Sequence, residues 1–175
     1  DKKENILPLR LQAYERLILF LERIAPESLV MRVSRQDMNV NQTLSELIST
    51  IRTEYEHNLV QQTYISSQAW EMVKAAKNNM IKLVTESAKE FKPANNGMLL
   101  NRQILESAME LNNSPVAPAI EYLKREVREE TGVECEMADL PETVWFLYHP
   151  LRWGRLVARR VGGGRRDLQI ASGGG

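Results

Sequence analysis

Disulfides are excluded at the outset, because this 175-residue chain contains a single cysteine, Cys135. One thiol cannot close an intrachain bridge, so a reducing compartment is the simpler setting. His57 and His149 are the only histidines, and no zinc ligand set can be assembled from them. Long apolar runs are missing as well. The longest, Leu17 to Leu21, lies between Arg16 and Glu22 and falls far short of the roughly 20 residues a bilayer helix needs. Neither sign of charge is in excess, with 23 basic and 23 acidic side chains. That balance argues against a dedicated nucleic-acid binder, which carries a basic surplus. The chain opens on Asp1 rather than methionine, so any membrane attachment is expected to come from an anchor ahead of it.

Glycine is nearly absent from the first 130 residues, where Gly97 stands alone, while residues 131–175 hold eight. The first stretch has eight lysines and eleven asparagines; the second has neither, and from Leu151 it carries six arginines against one acid, Asp167. Lys and Asn have A/T-rich codons and Gly and Arg mostly G/C-rich ones, so the coding bias shifts with the composition. The expected organisation is a domain over residues 1–130 followed by a poorly ordered Gly/Arg-rich tail over 131–175. The tail reads as a fused segment or as an out-of-frame or vector-derived end. Within it, only Thr143–Tyr148 has the β-branched and aromatic content of a short strand.

What the chain does have is helical periodicity. Leu9, Ala13, Leu17, Phe20, Leu21 and Ile24 recur at three- and four-residue steps, between Pro8 near the start of the helix and Pro26 after its end. A short helix or turn follows over Glu27–Val33. Thr43-x-x-Glu46 has the form of a capping box for a third helix, whose stripe runs Leu44, Leu47, Ile48, Ile51, Tyr55, Leu59 and Gln62. Ser66 or Ser67 offers a cap for a long helix through Ala69, Val73, Ala76, Met80, Leu83, Val84 and Ala88. Asn95-Asn96-Gly97 marks a turn before a helix over about Met98–Leu111, and Ser114-Pro115 opens the last one. The fold class expected is an all-α bundle of five or six helices.

Four constellations are candidates for chemistry. On the last helix Glu126, Glu129 and Glu130 stand at i, i+3 and i+4, a spacing that groups carboxylates for a hard cation such as magnesium. Glu54-x-x-His57 has the spacing of one half of a di-iron carboxylate–histidine motif, but no second half exists. Tyr14, Phe20, Tyr55, Tyr64 and Trp70, at helical spacing, are expected to be core or interface anchors. The arginines between Arg152 and Arg166 could attract anions, although nothing puts them in helical phase.

Two resemblances follow from these residues. Arg125-Glu126-Val127-Arg128-Glu129-Glu130-Thr131-Gly132-Val133 resembles the second half of a Nudix box. That resemblance implies a magnesium-dependent hydrolase of nucleoside diphosphate derivatives, with Glu126, Glu129 and Glu130 as metal-binding and catalytic residues. The first half departs from the pattern: Leu111 stands where the family has glycine, and Ala117 where it has glutamate. The run from Leu7-Pro8-Leu9-Arg10 to Leu29, the run Ile51–Gln62, Ser67-Gln68-Ala69-Trp70 and Tyr122–Arg128 are together similar to a family of uncharacterised helical proteins from Bacteroidetes-type bacteria. This second resemblance covers residues 4 to 128 and implies an N-terminal membrane anchor and no catalytic residues.

The reading adopted is a non-catalytic interaction or scaffold domain without a cofactor. It would bind a protein partner or itself, lie in the cytoplasm at or near the inner membrane, and use Glu54, His57, Asn58 and Gln61, flanked by Glu56 and Gln62, as its surface. The alternative is the Nudix-type hydrolase with magnesium.

Overall fold

The computed structural model describes residues 2–110 and 114–132, with side chains from Ile6 onward. The strand expected at Thr143–Tyr148, Cys135, His149, the arginine-rich run and the order of the tail lie outside the described residues. The described part is all-α. Its helices are α1 (Lys2–Ile24), α2 (Pro26–Val33), α3 (Val40–His57), α4 (Ser67–Ala88), α5 (Gly97–Glu110) and α6 (Ala117–Thr131), with a 3-10 turn at Leu59–Thr63. Among these residues there is no strand; Asn39 and Asn96 form one isolated bridge. No helix among them is long and apolar enough to cross a membrane.

The central element is α4, which packs against α1, α3, α5 and α6. Its stripe of Ala69, Val73, Ala76, Met80, Val84 and Ala88 is buried, as the three- and four-residue spacing requires. Ser66 caps it, its hydroxyl accepting the Ala69 N–H at 3.0 Å. Tyr14 and Phe20 from α1, Ile51 from α3, Leu100 and Ile104 from α5, and Leu123 from α6 complete a single core. The aromatic residues act as anchors, as expected: Tyr55 stacks on Trp70 with centroids 5.4 Å apart and tilts against Phe20 at 6.1 Å.

Three boundaries differ from the expectation, each for a physical reason. Pro8 lies inside α1 rather than at its start. A proline here forfeits one intrahelical bond, and Pro8 lies on the exposed side of the helix. The capping box of α3 is Asn39 with Gln42, not Thr43 with Glu46. The Asn39 side chain accepts the Gln42 N–H at 2.9 Å and Gln42 accepts the Asn39 N–H at 3.0 Å. The stripe of α3 also stops early. Asn58 closes the helix by donating to the Glu54 carbonyl at 2.8 Å, and Leu59 turns outward instead of continuing the core.

The earlier start of α3 depends on the turn before α5. Helices begin with backbone N–H groups that have no partner of their own. Here the Val40 N–H reaches the Asn95 carbonyl at 2.8 Å and the Asn41 N–H reaches that of Pro93 at 3.2 Å. In return the Gly97 N–H donates to the Met38 carbonyl at 2.9 Å. The two segments are so close that a Cβ on residue 97 would overlap the Thr43 hydroxyl and lie 2.9 Å from the Met38 carbonyl oxygen. Gly97→Ala is therefore expected to cost about 2 kcal/mol or more in chemical denaturation. Thr43→Ala in the same background should recover only part of the loss, because the backbone clash remains. Full recovery would place the strain in the hydroxyl alone.

Candidate functional site

The acidic end of α6 is where the sequence concentrates chemistry, and helix geometry divides its three carboxylates. Glu126 and Glu130, one turn apart, face inward. Glu126 Oε2 accepts the Tyr14 hydroxyl at 2.6 Å and Oε1 accepts the Ser66 hydroxyl at 2.6 Å. Glu130 Oε1 is paired with the guanidinium of Arg10. Glu129 projects to solvent, with its nearest cation, Arg125, at 3.9 Å. Gly132, which would close the Nudix box, sits at φ +65° and donates to the Arg128 carbonyl at 2.8 Å. That is the usual way a helix ends on glycine.

The three glutamates thus do not converge, and among the described residues no group of three or more His, Cys, Asp or Glu side chains is arranged to hold a metal ion. What the site brings together is two carboxylates of α6, Glu126 and Glu130, and donors from α1 and from the cap of α4. Tyr14 comes from the middle of α1, Ser66 from the cap of α4, and Arg10 from one turn before Tyr14. Burial pushes the Tyr14 phenol up, and its hydrogen bond to Glu126 adds to this, to about 12. For Glu126, burial acts to raise the carboxyl, but the Ser66, Tyr14 and Tyr122 hydroxyls and the Arg10 charge together hold it below its usual range.

The second candidate surface, at the end of α3, divides in the same manner. Glu54 is bonded by the Arg23 Nε at 2.9 Å and by Arg32 Nη1 at 2.9 Å, so it joins α1, α2 and α3. Arg32 also donates to the Arg23 carbonyl at 3.0 Å, where the C-terminal end of α1 favours positive charge. Burial opposes ionisation of Glu54, yet the two guanidiniums outweigh it and hold the carboxyl low. Asn58 caps α3. His57 is exposed at the helix end and Gln61 is half-buried on the 3-10 turn. Glu54 is thus engaged by two arginines while His57 faces solvent.

Compared with known proteins, residues 1–130 match a family of unknown function, DUF7935. The chain belongs to that family. No curated protein and no solved structure matches it. The DUF7935 match covers all of α1 to α5 and α6 as far as Glu130, so both clusters lie within the family's own region. It assigns no activity to either cluster.

Sequence reasoning located Glu126 and Glu130 in this DUF7935 domain but missed Arg10, Tyr14 and Ser66 as their partners. The available signal was Tyr14 itself: a tyrosine on a buried stripe needs a partner for its hydroxyl. Which helix would supply that partner was not legible.

Both hydroxyl bonds end on an ionised acceptor, so each is expected to be worth about 2 kcal/mol. The pH dependence follows from the two shifts. Glu126 is held low, so its contribution is complete above the ordinary carboxylate range and is lost as pH falls through the depressed value. Tyr14 is held high, so its contribution is complete below its ordinary 10.0 and is lost as pH rises towards about 12. Tyr14→Phe should lower stability at neutral pH and flatten the alkaline limb of the stability–pH curve. An unchanged alkaline limb would show that the Tyr14 phenol does not control it.

Proposed function

We propose that residues 1–130 form a non-catalytic interaction or scaffold domain that binds a protein partner or a second copy of itself. The surface is the corner where α3 passes into the 3-10 turn. The observation that carries this is the turn Leu59–Thr63, which buries none of its residues. Leu59 is 38% and Val60 68% exposed there, beside His57, Gln61 and Gln62. A small apolar centre with a polar rim is the usual composition of a contact patch. The mount beneath it is stiff, because the Asn58 cap and the two arginines on Glu54 fix the end of α3.

Val60→Arg with His57→Ala tests this. In-cell crosslinking should give an adduct with the unaltered chain, either a second copy or another protein. The double variant should lose it at an unchanged melting temperature. The same adduct in both proteins would remove the corner as the site.

The resemblance stated from the sequence supports a Bacteroidetes-type bacterial source. It also supports a cytoplasmic position at the inner membrane, with the tether supplied by an N-terminal anchor. Fractionation of a chain extended on its N-terminal side should recover it with membranes; recovery wholly in the supernatant would remove the tether.

The hydrolase alternative, with magnesium on Glu126, Glu129 and Glu130, competes with the bonds that Glu126 and Glu130 already make. Incubation with magnesium and a panel of nucleoside diphosphate derivatives is expected to give no turnover. Turnover abolished by Glu129→Gln would replace the present reading, since Glu129 makes only an exposed 3.9 Å ion pair with Arg125 and its loss would leave the fold intact.

A further inference from the structure

The two halves of α6 are held by different physics. Its first half is anchored by burial, with Ala119, Ile120 and Leu123 all inside the core. From Lys124 to Thr131 no residue is buried, and only Val127 packs partly against the core. Among the described residues, the links that tie that half to α1 and to the cap of α4 are polar: Tyr14 to Glu126, Ser66 to Glu126 and Arg10 to Glu130.

An apolar contact loses strength gradually as helices separate, whereas a hydrogen bond has a short range and fails almost completely within an ångström or so. A segment with few buried apolar contacts therefore opens at lower free energy than the core beneath it. The links also share parts. Ser66 accepts from the Ala69 N–H while donating to Glu126, and both Ser66 and Tyr14 end on the same carboxylate. Losing Glu126 releases both together.

We propose that Lys124–Thr131 is a polar latch, a half-helix that leaves α1 and α4 as one unit while the remaining helices stay folded, and that Glu126 is its catch. When it opens, it uncovers a donor-lined strip made of the Arg10 guanidinium and the Tyr14 and Ser66 hydroxyls. Among the described residues, the charged and titratable groups that act on Glu126 are Arg10 and Tyr14 from α1 and Tyr122 from α6, and the cap of α4 adds the Ser66 hydroxyl. Protonating Glu126 removes the ionised acceptor of both hydroxyl bonds, so acid opens the latch at that residue.

Native-state hydrogen exchange on the full chain tests this. At neutral pH the amides of Val127–Thr131 should exchange through an opening that is nearly independent of low denaturant, while those of Val73–Val84 in α4 exchange only through global unfolding. Glu126→Gln should speed exchange in Val127–Thr131 by about 10-fold or more, the equivalent of one strong hydrogen bond. Tyr14→Phe should act in the same direction, and neither variant should alter the last turn of α4, an internal control for ordinary end fraying. Two results would overturn the latch. One is exchange in Val127–Thr131 that tracks α4 at every denaturant concentration. The other is fast exchange there that neither variant changes, which would mean that the end frays without a catch.

Discussion

One helix has to satisfy four neighbours, and this constraint governs the remainder of the fold. Because α4 packs on α1, α3, α5 and α6, its buried face, which runs from Ala69 to Ala88, has to serve four interfaces. Replacing one residue of this stripe disturbs several interfaces together, since a packed interior transmits volume changes. The remaining elements are arranged around that requirement: α2 is a short bracket over α1, α3 and α5, and α6 closes the side between α1 and α4.

Polar bonds then set the register that apolar packing leaves loose. Tyr14 with Glu126, and Arg10 with Glu130, place α1 and α6 antiparallel with each four-residue step matched by a four-residue step. In that register α6 ends opposite Leu9. This explains why Ile6, Leu7 and Leu9 are 49%, 38% and 46% exposed although Leu9 belongs by spacing to the core stripe. At the other end of α1, Arg23 and Arg32 on Glu54 do the same for α1, α2 and α3. A carboxylate with two donors from different helices tolerates little sliding, because hydrogen bonds are directional in a way that methyl contacts are not.

The likeness of Arg125–Val133 to a metal-binding motif shows how much a helix end shares with a catalytic box. Charged residues at i, i+3 and i+4 followed by glycine describe a ligand platform, and equally a polar helix face with an αL cap. Only the direction of each side chain separates them. Here Glu126 and Glu130 point at donors of their own chain, Glu129 points to water, and Gly132 satisfies a carbonyl.

Apolar spacing and local turn chemistry act over a few residues, so the sequence alone was enough for the all-α class with five or six helices, for most core residues, for a cap at Ser66 or Ser67 and for the anchoring role of the aromatics. It did not determine the start of α3, which the Asn95 and Pro93 carbonyls fix from fifty residues away. Nor did it determine where α1 stops being buried, or which donors hold Glu54 and Glu126. Those features are pairings between distant segments, and spacing along one helix contains no information about what stands opposite it. Only the packing of all six described helices and their turns against one another decided them.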